Sequence, residues 1–175
     1  MLQSLKDIET WHSTPDPWGY ETHPDDVLRK DILLAELPAR EYMRVLDIGC
    51  GQGFLTRDLP GKRVTGVDIS AEAIAKARMI QDKRLDFRQE SIFDLSPPPK
   101  SGYDLIVITG VLYPQYIGHA HTLIYHIIDS QLAHDGILAC VHIDGWHEAR
   151  FPYLILKEHF YAYREFTHRL EVYTK

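Results

Sequence analysis

Two apolar runs, the first followed by glycines and the second ending in an acid, constrain the fold of this chain more than any other feature. The first run is followed by glycines at alternate positions, Gly49, Gly51 and Gly53. The second ends in an acid, Asp68, about 20 residues after the first glycine. Glycine lets a backbone turn sharply and approach a ligand without an intervening Cβ. The pair predicts a nucleoside site at the carboxyl edge of a parallel sheet, with Asp68 accepting hydrogen bonds from a ribose.

The rest of the chain alternates between strand and helix patterns. Strands are predicted at residues 43–48, 63–68, 85–89, 103–109 and 136–143, and helices at 54–59, 70–81 and 120–133. From about residue 159, aromatic and polar residues alternate, which predicts a closing antiparallel hairpin. Three consecutive prolines at 97–99 exclude a helix before the fourth strand. The predicted fold class is α/β, a Rossmann-like, doubly wound and mostly parallel sheet.

Composition narrows the class of protein. A chain of 175 residues with 45% hydrophobic and 25% charged residues predicts one soluble domain, residues 1–175. No apolar run reaches the roughly 20 residues of a membrane span, and the first residues lack a signal-peptide pattern. Two cysteines suit reduced thiols in the cytoplasm. The net charge of -6 argues against nucleic acid as a partner.

Four motifs in order resemble the class I S-adenosylmethionine-dependent methyltransferases. They are the glycine motif at 45–53, the acidic strand end at 66–68, the segment 103–113 and the turn at 132–139. Such a series is more specific than one glycine motif. The main rival, an NAD(P) oxidoreductase, shares the glycines and the acid. It would require a small residue where Phe54 stands, and more chain for a substrate domain.

The resemblance implies that the chain binds S-adenosylmethionine. Asp47 would lie near the amino group of its methionine portion, Asp68 at the ribose, and Ile69 and Ile92 at the adenine. Two alternatives stay open: Ile69 as ordinary core, and Ser91 as the cap of a turn. The full set of implied cofactor-binding residues is Tyr20, Asp47, Gly49, Cys50, Gly51, Phe54, Asp68, Ile69, Ser91, Ile92, Thr109 and Gly110.

The string Asp16-Pro17-Trp18, together with residues 111–113, resembles the Nod-factor N-methyltransferase-like group. Members of that group methylate amino groups on sugars or oligosaccharides. The resemblance implies a helical lid at residues 1–40 over a core at 41–175, with Tyr20 shielding the sulfonium. Alternatively, Trp11, Trp18 and Tyr20 pin the first helix to the sheet.

The chemistry requires few side chains, because a sulfonium methyl group is already activated and mainly has to be aligned with its acceptor. A base helps when the acceptor is a protonated amine. The candidates are Tyr113, His119, His142 and Asp144. His142 would take the proton and Asp144 would hold the ammonium, since alternate residues of a strand share a face. Alternatively, His142 only ends the strand and Asp144 turns the chain. No metal site is predicted, because the histidines lack companions at ligand spacing.

Two functions from different classes are compatible with these motifs. The first is a methyltransferase acting on a small-molecule or glycan acceptor, with nitrogen expected and oxygen as the alternative. The second is a non-catalytic adenosylmethionine-binding subunit. No long insertion separates the fifth strand from the hairpin, so we expect an open acceptor site. That site would suit a large acceptor or be completed by a second subunit, in a monomer or a homodimer.

Overall fold

A computed structural model describes residues 2–17 and 19–175, and its strands form a seven-stranded sheet in the order β3-β2-β1-β4-β5-β7-β6. Strands β1 to β5 are parallel, and β7 lies antiparallel between β5 and β6. This confirms the predicted Rossmann-like fold with a closing antiparallel hairpin. The strands are β1 (Tyr42–Ile48), β2 (Gly61–Asp68), β3 (Leu85–Gln89), β4 (Tyr103–Thr109), β5 (Leu132–Ile143), β6 (Leu154–Tyr163) and β7 (Phe166–Thr174). The helices are α1 (Leu5–His12), α2 (Pro24–Glu36), α3 (Ala71–Ala77), α4 (Pro114–Ile117) and α5 (His121–Gln131).

The middle of β4, residues 105–108, is apolar throughout because helices cover both faces of the sheet. In β4, Leu105 and Val107 pack in the layer that contains residues of α2 and α3. Ile106 and Ile108 point the other way, into the layer that contains residues of α5. A parallel sheet buried on both sides needs such continuous apolar runs. The carboxyl ends of β1, β2, β4 and β5 therefore meet at one edge, which positions the candidate site.

Two helix predictions were wrong in extent. Residues 54–59 form only a 3-10 turn, Thr56–Asp58, because the chain reaches Pro60 and then β2 before a full helix can form. The helix after Ser70 ends at Ala77 instead of residue 81 and continues as a second 3-10 turn. Its predicted cap is confirmed, since the Ser70 hydroxyl accepts a hydrogen bond from the Ala73 amide.

The strands of the C-terminal half begin earlier than predicted. Strand β5 starts at Leu132, with a register shift opposite Tyr103 and Leu105 in β4. The hairpin starts at Leu154 instead of about residue 159. The prediction missed this start because the first three residues of β6 are all apolar and exposed, so they show no alternation of apolar and polar residues. The absence of a helix at residues 90–102 was predicted and is confirmed. No helix in the described part of the chain is long and apolar enough to cross a bilayer.

Candidate active site

The glycine loop after β1 packs tightly against the end of β4. Gly49 has φ +77° and Gly51 has φ +53°, conformations that favour glycine. A Cβ on Gly49 would overlap the side chain of Val111 and lie 3.8 Å from the carbonyl oxygen of Thr109. The Gly49 amide also donates to Val67, 2.8 Å away, at the end of β2. The fold therefore brings the predicted residues of three strand ends together.

Asp68 is fixed at the edge of this loop. Its Oδ2 accepts from the Gly51 amide at 2.9 Å and its Oδ1 from the Ser70 amide at 2.9 Å. The carboxylate is 9% exposed, and its burial raises its pKa despite the two amide donors. Ile69, next in the chain, is 39% exposed and offers an apolar surface beside the acid. An acid next to an apolar platform has the arrangement that a ribose and a flat base require.

Asp47 is a second acid at the same edge, and it is almost completely buried. One carboxylate oxygen accepts from the Thr56 hydroxyl at 2.7 Å, and the other, Oδ1, has no partner among the described residues. Burial raises its pKa to about 6. A buried acceptor without a partner is costly, so Asp47 offers a place for a donor such as an ammonium group.

Two predicted adenine contacts differ in what their side chains do. The Ser91 hydroxyl accepts from the Phe93 amide at 3.2 Å, so its side chain caps a turn. Ile92 is buried in the layer that contains α5.

Cys50 is also buried, which raises the pKa of its thiol well above the usual range, and its sulfur lies 3.6 Å from the Gly51 carbonyl oxygen. A buried, protonated thiol points to a packing role for this side chain.

Helix α1 lies across the start of α3, and Glu9 holds it there. The Glu9 carboxylate accepts from the Ser70 hydroxyl at 2.7 Å, the Ala71 amide at 2.7 Å and the Glu72 amide at 3.2 Å. These hydrogen bonds cap α3 with an acid from a distant helix, where the helix dipole favours negative charge. From the other end of α3, Lys76 donates to carbonyl groups at the end of α1.

This docking places His12, a residue that sequence reasoning missed, over the glycine loop. Its Cε1 lies 4.0 Å from the position of a Cβ on Gly51, and the imidazole is buried. Its Nδ1 has no partner within residues 2–17 and 19–175. The nearby charge of Asp68 raises its pKa, but burial has the larger effect and lowers it. His12 and Asp68 thus face one another across the place predicted for the ribose.

The segment after α1 also rests on the loop. Glu21 forms two hydrogen bonds of 2.8 Å with Arg57, and the Tyr20 ring stacks on Phe54 with centroids 5.8 Å apart. The space left between this segment and the loop is only about 20 Å³. Trp18 lies outside the described residues. This cleft is therefore smaller than a nucleoside.

Arg29 of α2 is the second residue that sequence reasoning missed. Its guanidinium is buried 5.0 Å from the Tyr20 ring centroid and 5.7 Å from that of Tyr163. Its counter-ion is Asp26, 3.2 Å away, which is fully buried and also accepts from the Tyr163 hydroxyl at 2.8 Å. Buried charges persist only when paired in this way. The arrangement places a cation between the N-terminal segment and the hairpin.

We expect His168, which stacks on Tyr163 with ring centroids 3.8 Å apart, to make stability depend on pH. Burial, with Arg29 and Arg164 nearby, lowers its pKa to about 3. The unfolded chain then takes up the proton first, so stability falls as pH drops below about 6.5, by up to about 1.4 kcal/mol per unit. We expect the His168→Phe variant to lack this contribution, so its free energy of unfolding in urea should fall less between pH 7.5 and pH 5.0 than that of the wild type. His134→Phe, at an exposed position, is the control. An unchanged slope in His168→Phe would contradict the expectation.

The structure buries His142 away from solvent. It is fully buried in β5, and its Nε2 accepts from the Arg169 guanidinium at 3.1 Å. Burial and the neighbouring His147 and Arg169 lower its pKa to about 3, so it is neutral at physiological pH. Asp144 is partly exposed and lies 3.6 Å from Arg169. The two residues share a face, as period-two alternation requires, but only Asp144 reaches solvent.

Tyr113 joins the ends of β4 and β5. Its hydroxyl accepts from the Ile143 amide at 3.0 Å, and burial raises its pKa to about 12. Its ring meets Trp146 edge-on at 5.3 Å, and Trp146 meets Phe166 at 5.5 Å. These rings form an aromatic wall that runs from the end of β4 to the start of β7. His119 is exposed on the loop between α4 and α5. No group of three potential metal ligands occurs in the described part of the chain.

Sequence comparisons place the chain among proteins of known activity. The sequence model of a family described as "Methyltransferase domain" matches residues 39–172. A malonyl-[acyl-carrier protein] O-methyltransferase from Enterobacter lignolyticus is 36% identical over 90 residues, 50% of this chain and 35% of the relative. A trans-aconitate 2-methyltransferase from Paracidovorax citrulli is 37% identical over 114 residues, 61% of this chain and 41% of the relative. The chain thus spans less than half the length of these curated relatives.

Solved structures with the same fold match nearly the whole chain. The N-methyltransferase NodS from Bradyrhizobium japonicum, in complex with S-adenosyl-L-homocysteine, aligns with a TM-score of 0.80 and 22% identity, covering 98% of this chain and 97% of NodS. The 1,6-didemethyltoxoflavin-N1-methyltransferase from Burkholderia thailandensis aligns with a TM-score of 0.73 and 20% identity, covering 97% and 85%. At these identities the likeness shows the fold. It confirms the resemblance predicted from the sequence.

Proposed function

Because the chain belongs to the methyltransferase-domain family, we propose that it transfers a methyl group from S-adenosylmethionine to a small-molecule or sugar acceptor. The observation that carries this proposal is the pair of buried acids on either side of the glycine loop. Asp68, fixed by two backbone amides, suits ribose hydroxyls. Asp47, with one carboxylate oxygen unpartnered among the described residues, suits the amino group of a methionine.

Four further groups would hold the cofactor. Ile69 would lie against the adenine, the main-chain amide of Ile92 would meet the adenine edge, and His12 would cover the ribose opposite Asp68. Arg29 offers a buried cation for the methionine carboxylate. When bound, the cofactor supplies an activated methyl group, and its sulfonium charge would be attracted to the face of Tyr20 by about 0.5–2 kcal/mol. The protein's task is then alignment of the acceptor at about 3–3.5 Å and exclusion of water.

For the acceptor we propose an amine on a sugar or oligosaccharide. Within the aromatic wall, Trp146 is 44% exposed and offers an apolar face on which a ring could lie, with Tyr113 and Phe166 packed against it edge-on. Asp144, partly exposed just after β5 and 3.6 Å from Arg169, would hold the ammonium before it loses its proton. His142 would not contact the amine. As a buried neutral group it would accept a hydrogen bond from Arg169 and so help to hold that side chain in place.

A second candidate is O-methylation of a carboxylate. The burial of His142 favours it, since a carboxylate acceptor is already deprotonated and needs no base. The curated relatives named above are called malonyl-[acyl-carrier protein] O-methyltransferase and trans-aconitate 2-methyltransferase, names consistent with acid acceptors. A non-catalytic adenosylmethionine-binding subunit would use the same cofactor residues without any acceptor.

An acceptor screen with labelled methyl donor separates these candidates. Calorimetry with S-adenosylmethionine and S-adenosyl-L-homocysteine comes first. If the chain binds neither of them, the proposal is contradicted. We then expect label transfer to glucosamine and amine-bearing oligosaccharides. N-acetylglucosamine, whose nitrogen is blocked, is the matched control. Transfer to tricarboxylates instead would support the second candidate, and cofactor binding without transfer to any class would support the non-catalytic subunit.

We expect Glu9→Ala to speed the release of S-adenosyl-L-homocysteine. Glu9 caps α3 and holds α1 over the loop, and loss of such a cap costs about 1 kcal/mol, which corresponds to roughly fivefold in rate. Stopped-flow displacement measures the dissociation rate directly. Glu41→Ala, which removes an exposed acid paired with Lys62, is the control and should leave the rate unchanged. Equal rates in wild type and Glu9→Ala would exclude a role for Glu9 in closure.

A further inference from the structure

A cavity of about 330 Å³ lies between α5 and the loop that follows β5. Its size is at the lower end of the range for small-molecule sites. Apolar side chains form much of its wall, including Ile117, Ile124, Tyr125 and Phe151. None of its lining residues lines the small cleft at the glycine loop, within the described part of the chain. It is therefore a separate feature of the same sheet edge.

The polar groups of this cavity are neutral or basic. His121, His147 and Arg150 line it, and its described lining contains no acid, although the chain as a whole carries a net charge of -6. The N-cap residue of α5, Ala120, provides no side-chain cap, so the first-turn amides of an 11-residue helix are available at the same place. Helix N-termini favour anions.

His147 gives an independent indication of a ligand. It is 4% exposed and lines the cavity, and its Nδ1 has no hydrogen-bond partner among the residues described. Its ring lies 5.2 Å from that of His121, whose Nδ1 also lacks a partner there. Burial and the charges of His121 and Arg169 lower the pKa of His147 to about 4, although hydrogen bonds with the backbone of Leu112 and Ala149 raise it, so at neutral pH the ring is a neutral imidazole with a single N–H. Buried polar atoms are normally paired, so these two call for a partner.

We propose that this cavity binds a small organic anion, a carboxylate carried on one aromatic ring or a short alkyl body. The carboxylate would accept hydrogen bonds from His147, His121 and the first turn of α5. Arg150, which now pairs with Glu158 at 2.5 Å and Glu171 at 3.4 Å, would add its charge. The apolar body would lie against Tyr125 and Phe151.

The test uses benzoate as the probe and benzamide, its neutral isostere, as the control ligand. Titrations of the full chain are followed by amide and imidazole NMR shifts. We expect benzoate to shift His147 and Thr122 with one saturating site and at least tenfold tighter binding than benzamide. Shifts confined to other parts of the molecule, or equal binding of the two ligands, would overturn the proposal. This comparison needs no variant, so it does not depend on whether a mutant folds.

Two variants locate the site. Ala149→Leu fills the cavity and His121→Gln removes an imidazole, and each should weaken benzoate binding at least fivefold. His134→Gln, at an exposed position, should leave it unchanged. Wild-type affinity in both cavity variants would contradict the proposal. With S-adenosylmethionine present, methylated benzoate would identify the cavity as an acceptor site, and unmodified benzoate would identify a separate ligand site. The binding result stands or falls without turnover, so it is independent of the proposed function.

Discussion

Replacing Asp68 by asparagine should weaken binding of S-adenosylmethionine about 100-fold. The carboxylate would accept from two ribose hydroxyls, and hydrogen bonds to a charged group contribute about 1.5–3 kcal/mol each. Loss of the charge removes about 3 kcal/mol in total, which corresponds to two orders of magnitude in affinity. The asparagine oxygen can still accept from one of the two backbone amides that Asp68 now binds, but its NH2 group would face the other amide donor, so the loop loses one hydrogen bond. Calorimetric titration measures the affinity.

The matched control is Asp86→Asn on the neighbouring strand β3. Asp86 is about half exposed and pairs with Arg88 on its own strand, away from the glycine loop. It should retain wild-type affinity. A thermal melt of each variant separates lost binding from lost folding. If Asp68→Asn binds the cofactor as tightly as the wild type, Asp68 does not hold the ribose and the orientation proposed for the cofactor is wrong.

The framework of the site could be predicted because it depends on local sequence. An apolar run followed by alternate glycines is recognisable within 10 residues, and Asp68 marks the end of the next strand. Parallel strands bring their carboxyl ends to one edge, so strand order alone places Asp47, Asp68 and Thr109 together. Strands β3 and β4 have the predicted bounds for the same reason, since their apolar runs are bounded by loop residues.

His12 and Arg29 could not be predicted because their roles come from contacts distant in sequence. His12 reaches the loop only because Glu9 caps α3, 61 residues further along the chain. Arg29 lies beside Tyr20 because Tyr163 and Arg164 of the hairpin hold its partner Asp26. The residues that neighbour a histidine or an arginine in the sequence of an amphipathic helix do not indicate that its side chain will be buried by a distant part of the chain. Docking of the N-terminal segment, not its sequence pattern, determines which of its side chains face the cleft.

His142 illustrates the opposite difficulty, a residue whose placement was predicted and whose surroundings were not. Period two correctly put it on one face with Asp144. The antiparallel strand β7 then places Arg169 directly opposite His142 and buries the imidazole. The sequence contains no sign of that pairing, because the register of β7 against β5 is set by the whole sheet. Burial, not strand position, decides whether a histidine can meet an acceptor.

Replacing Gly49 by alanine should destabilise the fold by between about 2 and 5 kcal/mol. A left-handed conformation costs a non-glycine residue about 1–2 kcal/mol, and φ at Gly49 is +77°. The new methyl group would also overlap Val111, and overpacking costs a further 1–3 kcal/mol or so. The free energy of unfolding of many domains is about 5–15 kcal/mol, so this change would remove a large part of the stability. Urea unfolding of the variant measures it.

Gly145 provides the matched control that separates the two causes. Its φ is +80°, but a Cβ there would have no heavy atom within 4 Å, so Gly145→Ala carries only the conformational cost of about 1–2 kcal/mol. The double variant Gly49→Ala with Val111→Ala should recover about 1–3 kcal/mol relative to the sum of the single changes, because it removes the overlap. Equal losses in Gly49→Ala and Gly145→Ala, with no recovery in the double variant, would mean that the loop and the end of β4 are not tightly packed. The close contact between Gly49 and Val111 packs the loop after β1 against the segment after β4, so its loss would also disturb the sheet edge at which the cofactor is proposed to bind.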